Sequence, residues 1–353
     1  MKRILLALIL SIAMVTPAFA SAPVITESLT VDQATDAAIA ASNELRNLED
    51  TVVTNNETLE NLKDQFQTEW DYSKVLSLAV QIMQLETKNS QANNNSGLAR
   101  DNLRISVMNL FSSIINAQNA LKLTDQSLDI QKRKLDIAKV KHEIGYLSKL
   151  DYDILANSYK QKQAARETQS IAIDNAFISL NKIMGYTLTK KYNLILNLSY
   201  KPVAGNINLA GAVNSALRND PSAVNQQANV NVAEYKKEMY DPDVSTDTEE
   251  SLKRDINQAE RSMYETERGI EQKVINAYND IKEQEIKYDN AVLELEALKL
   301  KLPLLLKKVE LGKITKLELD ELYYQIAQQE ETIRSLAYSH EIRVLQFNNP
   351  GTL

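Results

Sequence analysis

Between residues 121 and 144 the apolar positions fall on two heptad lines, Leu121, Leu128, Leu135 and, separately, Leu123, Ile130, Ile137, Ile144. Positions two apart on a helix point roughly 200° apart. The stretch therefore predicts a helix with apolar stripes on opposed sides and polar residues on its other two faces. One stripe alone suits a two-stranded coiled coil, whereas two mean a neighbour on each side. The pattern returns with Leu293, Leu300 and with Leu295, Leu302, Val309. Helices with neighbours left and right build a curved wall; the other solution is an ordinary helical bundle. The first of these helices is predicted from about Ala99 to Glu143, on the order of 65 Å at 1.5 Å per residue. Ahead of it, Leu62, Phe66, Leu76, Ala79, Ile82 and Met83 keep helical spacing up to a predicted loop over Asn89 to Gly97.

Setting Gly145 against Gly312 exposes an internal repeat with an offset of 167 residues. From Glu143 the chain reads E-I-G-Y-L-S-K-L-D-Y-D-I-L, and from Glu310 it reads E-L-G-K-I-T-K-L-E-L-D-E-L. Val107, Asn109, Phe111 and Ile114 likewise match Val274, Asn276, Tyr278 and Ile281. A shared glycine flanked by matched Glu, Ser/Thr-Lys-Leu and acidic positions points to duplication. In each copy a long helix runs up to the glycine and another leaves it, capped by Ser148 or Thr315 with Asp151 or Glu318 three residues later. Each glycine thus marks the tip of a helical hairpin. Between the copies, Gly185 to Gly211 is the clearest break in the helical pattern. Residues 193–200 there mix apolar and polar positions and predict a short strand beside the helices. Leu209 to Leu217 restarts a helix that Asn219-Asp220-Pro221 interrupts. The predicted organisation is a leader over residues 1–20, a first hairpin repeat over 21–186, a connecting segment over 187–208 and a second repeat over 209–353.

Composition sharpens this picture. Only eight glycines and seven prolines interrupt 353 residues, and there is no cysteine, which fits long uninterrupted helices. Lys2 and Arg3, the apolar run Ile4 to Val15 and Ala18-Phe19-Ala20 read as a secretory leader cleaved after Ala20. No later segment approaches the roughly 20 apolar residues that a membrane helix needs. The net charge is −7 and falls to −9 once Lys2 and Arg3 are removed, which argues against nucleic acid as a partner. Two histidines, His142 and His340, lie in unrelated contexts and without cysteine do not make a usual zinc site. No phosphate loop, nucleophile elbow or catalytic triad can be placed. The carboxylates Asp151 with Asp153, and Glu318 with Asp320 and Glu321, follow the tips on exposed-looking helices. Nothing nearby would perturb them by burial, so no enzyme and no cofactor is expected.

The tip segments Lys141-His142-Glu143-Ile144-Gly145-Tyr146-Leu147-Ser148 and Lys308-Val309-Glu310-Leu311-Gly312-Lys313-Ile314-Thr315 resemble those of the TolC family of outer-membrane efflux proteins. Leu180-Asn181-Lys182-Ile183-Met184-Gly185 closing the first copy resembles the family too. So does Ala212-Val213-Asn214-Ser215-Ala216-Leu217 with Asp220-Pro221 opening the second. The resemblance covers most of the mature chain. It implies an all-α fold in which a homotrimer closes twelve helices into an α-barrel. It also implies an exit duct for efflux or type I secretion in the cell envelope, working with a periplasmic adaptor and an inner-membrane pump. Gly145, Leu147, Ser148, Gly312, Ile314 and Thr315 would be the adaptor contacts, although a tight helix turn alone also needs its glycine. Glu318 and Glu321 match acids that ring the family's entrance and would favour cations there; solvated surface acids are the other reading. The family's basic closing residue, two positions past the second glycine, is here Ile314, with Lys313 or Lys316 as substitutes.

One departure is large. Family members insert two strands per copy to build a transmembrane barrel, and such strands alternate apolar and polar residues over about 10 positions. At that place the second copy offers Tyr240 to Glu250, with one valine and five acids, and the first keeps helical spacing. No transmembrane β-barrel is expected. A structural or adhesive coiled-coil protein of the envelope is the alternative to a duct, and the tip motifs favour the duct.

Overall fold

The computed structural model describes residues 27–197, 200–203 and 208–352. The expected leader lies outside these residues, as does part of the connecting segment. A short strand β1 (Ser28–Thr30) leads into α1 (Val31–Ala41), α2 (Asn43–Thr68), α3 (Tyr72–Glu143) and α4 (Lys149–Met184). Strand β2 (Asn193–Ile195) follows, and then α5 (Leu209–Asn219), α6 (Pro221–Glu238), α7 (Glu249–Glu310) and α8 (Lys316–Asn348). The succession of a short helix, a medium helix, a very long helix and a returning helix thus occurs twice.

Local chemistry sets these boundaries. Thr30 and Gln33 form a reciprocal capping box on α1, and Asp220 caps α6 with Pro221 in its first turn. Gly185 ends α4 in the left-handed conformation at φ 69°. Asn181 is fully buried and donates its amide to the carbonyls of Leu188 and Lys190, at 3.2 and 2.7 Å, fastening the chain that leaves α4.

The long helix starts earlier than the sequence pattern suggests. α3 runs unbroken from Tyr72, so Asn89 to Gly97 is helix rather than loop, and the whole element is about 110 Å long. Tertiary contact overrides the poor propensity of that polar run. Ala92 and Ala99 are buried, Asn89 bonds Asn56 of α2 at 2.6 Å, and Arg100 and Glu86 pair with Glu49 and Lys63. The break falls instead at Glu69-Trp70-Asp71, inside the stretch expected to be continuous helix.

β2 pairs in parallel with β1, Leu29 opposite Leu194. The strand expected near 193–200 therefore exists but is three residues long, with 198–199 outside the described residues. These two are the only strands among the described residues. The segments where barrel strands would sit are the α2–α3 turn with its flanking helix ends and the α6–α7 loop. Among the described residues no helix is long and apolar enough to cross a membrane.

The helices stand in four columns. α3 packs on α4 toward the tips and on α2 toward the far end. Its other side packs on α8 and on α6, which in turn pack on α7. The column order is α2/α4, then α3, then α6/α8, then α7. α3 therefore has both of its neighbours within the chain, although Ile137 and Ile144 of its second stripe stay exposed near the first tip. At the outer edges the stripes are bare: Leu150, Ile154, Ile171 and Ile178 on α4, and Ile286, Leu293, Leu300 and Leu304 on α7, with Leu300 80% exposed.

Candidate functional site: the two tips and the seam between hairpins

Each tip is closed by backbone bonds that only a left-handed residue permits. At the first, Gly145 has φ 81°, its N–H donates to His142 O at 3.0 Å, and Tyr146 N–H reaches back to Lys141 O at 2.7 Å. At the second, Gly312 has φ 65°, with Gly312 N–H to Val309 O at 2.9 Å and Lys313 N–H to Lys308 O at 2.9 Å. A Cβ at either glycine would meet nothing within 4 Å. The glycines are thus demanded by backbone conformation and leave open space around them. His142 braces the first tip by a 3.0 Å contact to Leu147 O and by stacking on Tyr152.

The departing helices begin alike. Ser148 Oγ accepts from Asp151 N at 3.1 Å and donates to Asp151 Oδ2 at 2.7 Å. The Thr315 N–H and hydroxyl both reach Glu318 Oε1 at 3.3 Å. Gly145, Ser148, Gly312 and Thr315 are exposed, and Leu147 and Ile314 are half-buried. The six residues named from the sequence therefore divide between two separate tips, three on each, all at the ends of the hairpins.

The acids beyond the second tip take different partners. Glu318 is exposed and engaged with its own cap. Glu321 reaches across the seam to Lys134 of α3, and Asp320 pairs with Arg133 at 2.5 Å. Arg133 also pairs with Asp129 one turn earlier on its own helix. Higher on the same seam, Asn119 donates to Glu331 and Asn116 to Ser335, each at 3.0 Å. The seam is mixed, because Ile105 and Met108 of α3 also pack on Ile342 of α8. These partners lie 187 to 219 residues apart, and the sequence pattern carries no local signal of the pairing.

A buried polar cluster that no sequence motif marks lies under the connecting segment. Glu285 and His340 are buried where α7 and α8 meet, and Tyr200 stacks on Tyr288 with centroids 3.6 Å apart. Val203 N–H donates to Glu285 Oε1 at 2.5 Å, while Lys282 Nζ donates to Val203 O at 2.9 Å and to Glu285 Oε2 at 2.8 Å. Burial pushes the Glu285 carboxyl up, but the Lys282 bond, the Val203 N–H and the Lys282 charge outweigh it and hold it below its ordinary value. Burial beside Asp289 and Glu285 raises the Tyr200 hydroxyl to about 12. The available signal was Lys282 and Glu285 flanking the apolar line at Ile281. Among the described residues no group of three or more His, Asp or Glu could hold a metal ion.

Solved structures share this architecture. The outer membrane protein VceC from Vibrio cholerae superposes with a TM-score of 0.62 at 10% identity, over 92% of this chain and 97% of that one. A membrane protein from Pseudomonas aeruginosa gives 0.64 at 11% identity, over 91% and 93%. The CmeC outer membrane channel of Campylobacter jejuni gives 0.59 at 11% identity, over 92% and 86%. The chain has the fold of the outer-membrane channels. No protein-family model matches the sequence, and no curated protein matches it. At 10–11% identity the likeness to this channel fold rests on the order and packing of the columns rather than on shared residues.

Proposed function

We propose that the protein is the exit duct of an efflux or type I secretion system. It works in the cell envelope as a homotrimer, with a periplasmic adaptor and an inner-membrane pump, and carries no catalytic centre. The observation that supports this most is the pair of bare edges. The α4 edge and the α7 edge are different surfaces, so their pairing is head-to-tail, and a head-to-tail contact either closes a ring or grows without limit. Three copies of four columns make the twelve helices that the resemblance to the TolC family implies. Ring closure removes every exposed stripe at once, which no isolated monomer of this shape can do. The two halves, over residues 21–186 and 209–353, then act as duplicated units of one wall.

In this reading Gly145, Leu147, Ser148, Gly312, Ile314 and Thr315 are the adaptor contacts, because the tips are exposed and the space around the glycines is open. Glu318 gives the entrance its cation preference. Glu321, with Asp320, ties α8 to Lys134 and Arg133 where the columns converge.

Two measurements test the reading. The Leu293→Glu, Leu300→Glu double variant should turn a trimer into a monomer in light scattering at micromolar concentration, with helical circular dichroism retained. A parent protein that is itself a stable monomer sinks the duct. At the tips, Gly145→Leu and Gly312→Leu force a side chain into positive φ at a cost of about 1–2 kcal/mol each. That is small for a chain of this size, so folding should survive while adaptor binding and export are lost. Unchanged export in both variants removes the contact role.

A further inference from the structure

The end remote from the tips carries a surface that the duct reading leaves unused. The α2–α3 turn is only Glu69-Trp70-Asp71, and its own side chains fasten it. Glu69 Oε1 accepts from the backbone N–H of Trp70 and of Asp71, each at 3.0 Å, and Asp71 Oδ1 accepts from Lys74 N at 3.0 Å to cap α3. The Asp71 and Trp70 N–H groups hold the Glu69 carboxyl below its usual range. On this fixed turn Trp70, the only tryptophan in the chain, is 93% exposed. Phe66, one turn earlier, and Val244 of the α6–α7 loop are exposed as well. Large aromatics left in water on a rigid support are what protein interfaces use as anchors.

The α6–α7 loop supplies the charge. Thr87 of α3 and Ala228 of α6 line one groove and are therefore level. From there α3 extends about 22 Å to Tyr72 and α6 about 16 Å to Met239, which brings the loop Met239 to Thr248 up to the Trp70 turn. Asp241, Asp243 and Asp247 occupy it and Glu249 and Glu250 open α7, with no basic residue from 239 to 250 and Lys236, Lys237, Lys253 and Arg254 on its flanks. Only Glu249 among these five has a lysine partner, Lys253 at 2.6 Å. An anionic lipid surface would accept the indole but repel the acids. A basic protein surface satisfies both.

We propose that this end is a docking surface for a protein whose matching face is basic and offers an apolar pocket to the Trp70 indole. The inference stands on this end of the molecule and does not require the duct.

The test places a photo-crosslinking benzoylphenylalanine at position 70 in producing cells. The same group at exposed Tyr264, about 22 Å along α7 from this end, is the control. The expected result is one discrete protein adduct at 70, absent at 264, whose linked peptide lies in a positively charged stretch of the partner. Asp241→Asn, Asp243→Asn and Asp247→Asn together should cut its yield severalfold, with circular dichroism unchanged. No adduct, a lipid adduct, or a yield indifferent to the three substitutions overturns the proposal. In parallel, Trp70 emission should not shift with vesicles of phosphatidylethanolamine and phosphatidylglycerol, because a blue shift would assign this end to the lipid surface instead. An adduct at 70 persisting in a protein whose tips bind no adaptor would sink the duct and leave this surface standing.

Discussion

Val107, Phe111, Ile114 and Ile173 in the first half correspond, 167 residues on, to Val274, Tyr278, Ile281 and His340 in the second. Around the first set the core is mainly apolar: Leu29, Ala34, Phe177, Leu180 and Tyr192 complete a buried cluster. Around the second, Glu285 and His340 are buried beside Ile281, where the first half has Gln118 and Ile173. The difference follows from what covers each patch. β1 and β2 lie over the first, and their backbone groups bond each other, so the buried amide of Asn181 has only the Leu188 and Lys190 carbonyls to meet at its edge. Among the described residues the chain at 200–203 crosses the second patch without a strand partner. Its N–H and C=O at Val203 must be met from beneath, and Glu285 and Lys282 supply one partner each.

The largest expected break in this comparison comes from Glu285→Ala. It strands the Val203 N–H and one face of Lys282, and because Lys282 is partly exposed and can rehydrate, the cost should be about 2–3 kcal/mol. Gln118→Ala at the matched place should cost under about 1 kcal/mol. Urea denaturation of the two variants measures the contrast, and equal losses would show that the polar cluster does not hold the connector. The pH dependence adds a sign. A carboxyl whose folded value is depressed stabilises above its unfolded value, ordinarily 4.5, and the gain disappears as pH falls through the folded value. The deficit of Glu285→Gln against the parent should therefore be full at neutral pH and shrink below about pH 4.5.

How much of this was legible in the sequence depends on the distance between partners. The tips read clearly because Gly145 with Ser148, and Gly312 with Thr315, carry their turn and cap within a few residues. Asp220-Pro221 reads clearly for the same reason. The Asn89 to Gly97 run misleads because its helix is held by α2, through Asn56 and the burial of Ala92 and Ala99, rather than by its own propensities. The turn at Trp70 is missed because Glu69 and Asp71 become turn formers only through side-chain bonds to neighbouring N–H groups. The two apolar stripes show that neighbours exist on both sides of a helix without saying which helix, so the column order had to come from the structure. At the candidate site, the tip residues were legible but Arg133 with Asp320 and Lys134 with Glu321 were not, since a surface charge pattern does not name its partner.

The sharpest small test is to make the second half resemble the first at one position, His340→Ile. Among the described residues neither ring nitrogen of His340 has a hydrogen-bond partner: Nε2 lies 3.5 Å from Glu285 Oε1 and Nδ1 3.8 Å from Glu341 Oε1. The ring is fully buried and tilts against Tyr200 at 4.8 Å. Removing unpaired polar atoms from the interior gains about 1–3 kcal/mol, and losing the aromatic contact gives back about 0.5–1.5. Ile173 already fits the matched site with a similar volume. The net expectation is a gain of about 1 kcal/mol, read as a higher urea midpoint at unchanged slope. A loss of similar size would mean that the imidazole contributes by lying between the Glu285 and Glu341 carboxylates. The second half would then be built around that polar contact, and its likeness to the apolar core of the first would end at Ile281.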